Sequence, residues 1–255
     1  MLNKLKQHWD TNERILVTYR ERVIDSVEQE DDILGWFEQP SQFKFQIHGS
    51  NEIKSLANLF DENIHLQIVG YAGSGKTTII KYLAVGAAKG QISNLPNLPI
   101  TIPLFSYQNE TLLTAIQNQF VQYTESKIEK DLLIKLLSQG KIFILLDGID
   151  ECLQSEKLIK DIQDFSNRYP LSPVLITNRI TSSSPIPNFR TAQIRPFEKE
   201  DIRLLTNKLC AKYNVDSQKL WLNLISNSAL LSLAENPLQL QIIVKIYKQQ
   251  SHKPL

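Results

Sequence analysis

The chain has 255 residues, 42% of them apolar and 22% charged, with a formal net charge of +1. That length suits one large domain, or one domain with a helical addition, and the apolar fraction is enough for an ordinary packed core. The near-zero charge creates no overall field toward nucleic acid or an anionic membrane. Neither is therefore an expected partner, although composition says nothing of local basic patches.

Other functional classes are disfavoured by the residues present. The two cysteines, Cys152 and Cys210, lack the spacing of metal or redox sites, and the four histidines are scattered along the chain. No apolar run approaches the ~20 residues of a membrane span. The N-terminus lacks the apolar segment of a signal peptide. We therefore expect a cytoplasmic protein.

Residues 1–50 are predicted to form an N-terminal helical extension. Apolar residues recur every four positions between Ile15 and Val27, which is the spacing of one helix face. Near the end of this segment, the alternation in residues 43–47 indicates a short strand. Residues 50–52 are typical of a helix start, and they predict a helix over the apolar residues that follow.

The most informative stretch joins an apolar run at 65–70 to a helical pattern that begins at Lys76. Its G-x-x-x-x-G-K-[ST] spacing, between a predicted strand and a predicted helix, is typical of a loop that wraps a phosphate chain. Glycines let backbone N–H groups approach the ligand, and the helix N-terminus favours negative charge. The predicted nucleotide-binding residues are Gly70, Tyr71, Ala72, Gly73, Ser74, Gly75, Lys76, Thr77 and Thr78.

Strand and helix patterns alternate as far as Pro196, which is typical of an α/β fold. Continuous apolar runs such as 141–146 fit strands buried on both faces, while two prolines in 98–105 favour a sheet edge. We expect an α/β P-loop NTPase in residues 51–196, with a five-stranded, mostly parallel sheet flanked by helices. Residues 197–255 carry helical patterns and predict a small all-α domain. The core strands are predicted at 65–70, 98–105, 141–146, 173–176 and 191–195.

Asp147 directly follows the apolar run 141–146. Ligands of open parallel sheets bind beyond the carboxyl ends of the strands, so Asp147 is expected on the same rim as the phosphate loop. A carboxylate at that place can hold Mg²⁺ together with the hydroxyl of Thr77. The alternative is that Asp147 only begins the next helix.

Three further residues on this rim are candidate catalytic residues. Asp150 and Glu151 come shortly after Asp147, and one of them could polarise the water that attacks a γ-phosphate. The residue pattern favours neither of the two, and both could simply begin a helix, where acids are favoured. Arg179 follows the strand at 173–176 and could sense the γ-phosphate.

Together these motifs resemble the NACHT family of STAND-class P-loop NTPases over about residues 60–250. The stretch 145–151, Leu-Leu-Asp-Gly-Ile-Asp-Glu, is the more discriminating match, because the family has a small residue directly after its metal-binding Asp and acids just beyond. Residues 176–179 resemble its sensor strand. Residues 236–240 resemble the motif whose proline lies against the bound base, which adds Pro237 to the predicted nucleotide contacts.

The resemblance implies a switch in which ADP holds a closed form and ATP exchange permits oligomerisation, with relatives in immune or antiviral signalling. ATP or ADP and Mg²⁺ are then the expected cofactors, and self-association through the NTPase domain is expected. The resemblance also implies that the Asp147 strand lies one strand removed from the Gly70 strand. Family members usually continue into a winged-helix domain and a sensor region. We therefore expect this chain, which stops at Leu255, to be either a fragment of a larger protein, which we favour, or a minimal nucleotide-binding module.

Two other functional classes share the phosphate loop and Asp147. One is an AAA-like ATPase that acts on protein or nucleic acid, and the other is an interaction module that nucleotide stabilises without functional hydrolysis. The choice of ATP over GTP depends on the lack of an N/T-K-x-D guanine-reading motif in the sequence. Our leading hypothesis is an ATP-binding, slowly hydrolysing signalling switch.

Overall fold

The computed structural model describes residues 2–29, 43–50, 52–60, 65–107, 110–152, 155–182 and 185–251. Residues 30–42 of the predicted extension, and the end of the chain at 252–255, lie outside the described residues. The strands are β1 (Lys44–Ile47), β2 (Ile53–Ser55), β3 (His65–Gly70), β4 (Pro99–Pro103), β5 (Phe143–Asp147), β6 (Val174–Arg179) and β7 (Arg190–Ile194). The helices are α1 (Leu2–Gln29), α2 (Lys76–Ala88), α3 (Leu112–Thr124), α4 (Lys130–Ser138), α5 (Ser155–Arg168), α6 (Lys199–Tyr213), α7 (Ser217–Ser226), α8 (Ser228–Ala234) and α9 (Pro237–Ser251).

One seven-stranded sheet forms the centre of the molecule, in the order β2-β1-β7-β3-β6-β5-β4. Strands β7, β3, β6, β5 and β4 run parallel, and they correspond to the predicted five-stranded sheet. Strands β1 and β2 extend it with an antiparallel hairpin beyond β7. Strand β6 separates β3 from β5, as expected, and the proline-containing β4 lies at the sheet edge, as predicted.

The helix predicted after residues 50–52 is wrong. Residues 53–55 instead form β2, which pairs with β1, and a short 3-10 turn follows at Leu56–Asn58. The reversal between the two strands places Gly49 at a φ of +78°, and the Gln46 amide donates to the Ser50 carbonyl. Pairing with β1 therefore outweighs the local helix signal. Ile53, one of the apolar residues of the predicted helix, is 48% exposed.

Helices cover the sheet and bury its central strands. Residues 143–146 of β5 are fully buried, as the continuous apolar run predicted. Helix α1 packs on α2 and α3. Its Tyr19 is fully buried, with its ring centroid 4.6 Å from that of Phe120 and 5.2 Å from that of Tyr123. Aromatic burial of this kind fixes the predicted N-terminal helix against the nucleotide domain.

After β7 the chain forms only helices, which we call the helical annex (residues 199–251). Helix α6 begins with a reciprocal capping box between Glu198 and Asp201, and it packs against α9. Phe197, just before the annex, lies with its ring centroid 6.4 Å from that of Phe43 at the start of the sheet. Within the part of the chain that the structure describes, none of the helices has the length and apolarity that a membrane span requires.

Candidate nucleotide-binding site

The phosphate loop connects β3 to α2 in a conformation that depends on glycine. Gly73 and Gly75 have φ values of +75° and +96°, in the left-handed region that side chains disfavour. Gly75 is the N-cap of α2, and the first turn of that helix holds no acidic residue. Its unpaired N–H groups and positive dipole end are therefore available to a phosphate group.

Lys76 is folded back over this loop. Its ammonium group donates to the carbonyl oxygens of Gly70 and Tyr71, at 3.0 and 2.9 Å. Burial lowers the pKa of Lys76, while the nearby carboxylates, Asp150 most strongly, oppose that shift. The lysine is thus a half-buried cation at the floor of the site, close to carboxylates across the rim.

Asp147 ends β5, and its carboxylate is held by a neighbouring strand. The hydroxyl of Thr177 on β6 donates to Asp147 Oδ1 at 2.5 Å and accepts from the Gly148 N–H at 2.8 Å. Thr177 is fully buried. This threonine, which we did not predict as a functional residue, fixes one oxygen of the carboxylate. A hydroxyl at the end of an otherwise apolar strand was the signal in the sequence.

Asp150 and Glu151 lie in a 3-10 turn after Gly148, and the structure gives them different surroundings. Asp150 Oδ2 lies 2.7 Å from Arg179 Nε, and its other oxygen accepts from the Arg179 backbone N–H at 3.2 Å. Glu151 Oε1 is 3.8 Å from the Arg179 guanidinium. The Asp150 side chain is 6% exposed and that of Glu151 49%. Asp150 therefore anchors Arg179, and Glu151 faces solvent.

The donor set at this rim fits Mg²⁺. The hydroxyl of Thr77 and the carboxylate of Asp147 both face the same cleft and are hard oxygen donors. Among the described residues, no group of three or more His, Cys, Asp or Glu side chains converges on a metal position. A site with few protein ligands suits Mg²⁺, which keeps waters and takes substrate phosphates as its other ligands.

Most of the predicted residues meet in one cleft of about 650 Å³, a volume typical of small-molecule sites. The cleft brings together both metal-ligand candidates, all three catalytic candidates and Pro237 of α9. Tyr71 and Ser74 instead line a second cleft of about 430 Å³, on the β7 side of the loop, which Pro237 also lines. Gly70 lies beneath the Lys76 ammonium. The loop residues in the main cleft are Ala72, Gly73, Gly75, Lys76, Thr77 and Thr78.

Two residues at this site escaped sequence reasoning besides Thr177. Phe105, 69% exposed, lines the cleft from the turn that follows β4. Asn236, whose side-chain oxygen caps α9, also donates from its side-chain amide to the carbonyl of Ala72 at 2.9 Å. The sequence signal for Phe105 was its place at the end of a predicted strand, and that for Asn236 was its place beside Pro237 in the stretch 236–240.

A glycine-rich loop with a lysine between a parallel strand and a helix, together with a carboxylate at the end of the strand one position removed in the sheet, defines a P-loop NTPase. The model of the NACHT domain matches residues 65–213, more than half of the chain. The chain therefore belongs to the NACHT family.

Individual relatives are more distant. Protein NLRC3 of Mus musculus is 26% identical over 165 residues, which cover 55% of this chain and 15% of that protein. The probable GTP-binding protein EngB of Buchnera aphidicola is 29% identical over 135 residues, covering 51% of this chain and 56% of that protein. The chain thus spans less than two thirds of either relative. Domain III of the Thermotoga maritima replication initiation protein DnaA superimposes with a TM-score of 0.47 at 13% identity, over 78% of this chain and 82% of that one.

Proposed function

We propose that this chain is the nucleotide-binding part of an ATP-driven signalling switch that hydrolyses ATP slowly. The observation that carries the proposal is the single cleft that joins Lys76, Asp147 and Arg179 of the sheet rim to Pro237 of the helical annex. A nucleotide in this cleft contacts both parts at once. Its binding free energy can therefore bias how they are arranged.

The residues of the rim have separate roles in this proposal. The loop N–H groups and Lys76 hold the β- and γ-phosphates, while Thr77 and Asp147 hold Mg²⁺, which neutralises phosphate charge when bound. Arg179 senses the γ-phosphate. We assign the orientation of the attacking water to Glu151, because its carboxylate is the more exposed of the two acids.

Asp150 restrains Arg179 in this scheme. Its carboxylate accepts from both the side chain and the backbone of Arg179. A γ-phosphate must compete with Asp150 for the guanidinium. Arg179 therefore contacts the triphosphate only when its ion pair with Asp150 is weakened or broken. Slow turnover suits a switch, because each nucleotide state must persist long enough to be read.

The proposal extends to nucleotide choice and to assembly. One relative is named as a GTP-binding protein, yet this sequence holds no N/T-K-x-D motif, so we propose adenine nucleotide. We further propose ADP-to-ATP exchange as the control of self-association, in a cytoplasmic signalling protein of immune or antiviral type. The domain limits proposed are an extension at 1–50, whose strand β1 pairs with β7, the NTPase domain at 51–196 and a helical domain at 197–255 that contains the annex.

Identification of the nucleotide that co-purifies with the chain, followed by titration with ATP, ADP and GTP, tests the proposal. We expect bound ADP or ATP, adenine over guanine selectivity, and Mg²⁺-dependent ATP cleavage at well below one turnover per second, under the usual range of enzymes. Chromatography with ATP and with ADP would show different oligomeric states. Failure of every nucleotide to bind the folded chain would refute the proposal. Rapid turnover stimulated by DNA would favour the AAA-like alternative.

A further inference from the structure

Four consecutive carbonyl groups of the phosphate loop, from Gly70 to Gly73, each accept a hydrogen bond. The first two accept from Lys76, at 3.0 and 2.9 Å. The third, of Ala72, accepts from the Asn236 side-chain amide at 2.9 Å, and the fourth accepts weakly from the Leu238 N–H at 3.4 Å. The loop is therefore held from the inside by its own lysine and from the outside by the start of α9.

Asn236 makes this outer connection with both ends of its carboxamide. Its Oδ1 accepts from the backbone N–H groups of Leu238 and Gln239, at 3.1 and 3.3 Å, and so caps α9. Its Nδ2 is left to donate to the loop. One side chain thus joins the first turn of an annex helix to the backbone that is predicted to wrap phosphate.

The contact between loop and annex is also tightly packed. A Cβ atom built on Gly73 would lie 2.7 Å from Leu238 Cβ and 2.9 Å from Asn236 Oδ1. The start of α9 therefore lies directly against the loop backbone, without room for a methyl group. Movement of the start of α9 away from the loop would break the Asn236–Ala72 hydrogen bond.

We propose that Asn236 is a positioning residue that couples nucleotide binding to the place of the annex. This inference rests on the proposed function and names a means of its regulation. Lys76 has three N–H donors and uses two of them on loop carbonyls. Gripping both the β- and γ-phosphates requires it to release at least one of those carbonyls. The hydrogen bond from Asn236 to the Ala72 carbonyl then maintains the loop conformation, which requires that α9 stays against the loop.

The coupling acts in both directions. Pro237, Leu238 and Gln241 of α9 line the cleft, so nucleotide draws the annex inward through direct contact and through the Asn236 hydrogen bond. By linkage, an annex held open weakens nucleotide binding by the same factor. A partner that pulls on the annex would thereby release nucleotide without touching the cleft.

The chain contains a matched control for this role. Asn227 caps α8 as Asn236 caps α9, with its Oδ1 accepting from the N–H groups of Ala229 and Leu230 at 3.1 and 3.2 Å. Serine is about as good an N-cap as asparagine, and it is uncharged. Asn236→Ser keeps the cap but is too short to reach Ala72, while Asn227→Ser changes a cap alone.

Hydrogen–deuterium exchange of residues 70–78 and 237–241, with and without ATP, tests the proposal. We expect Asn236→Ser to raise exchange in both segments about fivefold without nucleotide, as loss of one hydrogen bond would, and to weaken ATP binding by a similar factor. Asn227→Ser should change neither. Gly73→Ala pushes Leu238 outward and should raise exchange in the same two segments. This second variant keeps the test available if Asn236→Ser folds poorly.

Equal exchange and equal affinity in Asn236→Ser and Asn227→Ser would overturn the inference. The exchange comparison without nucleotide does not depend on any ligand. If the unaltered chain bound no nucleotide, the proposed function would fail, while the connection between loop and annex would still be judged by exchange alone.

Discussion

The rim of the sheet and the helical annex contribute to the same cleft in different ways. At the rim, functional groups are held by buried partners: Thr177 is fully buried and fixes Asp147. In the annex, several apolar side chains are exposed to solvent, and Leu238 and Ile242 of α9 are 48% and 47% exposed. Buried partners therefore fix the groups of the rim, whereas part of the apolar surface of the annex stays exposed.

Contacts at its start and at the first turn of α9 attach the annex to the sheet and to the phosphate loop. The first is near the start of the annex, where Lys44 of β1 pairs with Glu198 and the Phe43 ring meets that of Phe197. The second is the contact of Asn236 and Leu238 with the phosphate loop. A part attached at two places can turn about the first when the second opens, which suits the moving half of a nucleotide cleft. The predictions below test that division.

The largest effect is expected for Lys76→Ala. The variant removes the charge that is proposed to hold the β- and γ-phosphates, and each lost charge-assisted bond costs roughly tenfold in affinity. We expect ATP binding to fall beyond detection in a fluorescence titration, with the fold intact. Lys81→Ala, on the same helix, is the control and should bind normally. An unchanged affinity for ATP in Lys76→Ala would show that ATP does not bind at this rim.

Gly73→Ala tests the contact between the two halves. A left-handed φ costs an alanine about 1 kcal/mol, and the new methyl group would also collide with Leu238. Gly90 has a φ of +68° with nothing near its Cβ position, so Gly90→Ala carries the strain alone. We expect a melting temperature roughly 2–4 °C lower for Gly90→Ala and a larger decrease for Gly73→Ala. Equal decreases would show that the annex does not press on the loop.

Thr177→Val tests how firmly the core holds the rim. The change leaves Asp147 Oδ1 and the Gly148 N–H without their partner, which should cost about 1–3 kcal/mol of unfolding free energy. Thr191→Val is the control, because Thr191 donates to Gln67 and neither residue lines the cleft. Urea denaturation gives the stability of both. Only the first variant should also need more Mg²⁺ for ATP cleavage, and the same Mg²⁺ dependence in both would contradict a positioning role.

The smallest effect concerns the first attachment, between Lys44 and Glu198. The hydrogen bond between the two charged side chains, and then their mutual attraction, raises the pKa of Lys44 and lowers that of Glu198. The stability that Glu198 contributes is fully present above its ordinary pKa of 4.5, and it is lost as the pH falls through the lowered pKa of the folded state. The stability that Lys44 contributes is fully present below its ordinary pKa of 10.5, and it is lost as the pH rises through the raised pKa of the folded state. We expect Glu198→Gln to alter the pH dependence of stability only slightly, mainly in acid, because the pair is exposed.

Much of the rim could be predicted from sequence because its signals are local. A glycine-rich loop has few conformations that suit it, and a continuous apolar run fits a strand buried on both faces. Asp147 follows such a run, so its place at the carboxyl edge follows from the chain direction alone. The same logic placed Arg179, and the structure brings both residues into one cleft.

The hairpin and the annex contacts could not be predicted, because they depend on residues far apart in the chain. Residues 53–55 have a helix-like pattern and become a strand only because β1 is next to them. Asn236 has a complete local explanation as a cap, and its second hydrogen bond reaches Ala72, 164 residues away. Local helix and strand propensities depend on neighbouring residues alone, so they do not indicate a partner this far along the chain.

By itself, the sequence determined the phosphate loop from Gly70 to Thr78, the parallel strands around it and the acids that follow β5. These depend on backbone conformation, on burial and on chain direction, all of which are encoded in neighbouring residues. Only the tertiary structure decided that Asp150 rather than Glu151 anchors Arg179, and that Asn236 joins α9 to the loop. These contacts depend on where separate elements meet, because distance and direction between side chains exist only once the core has packed.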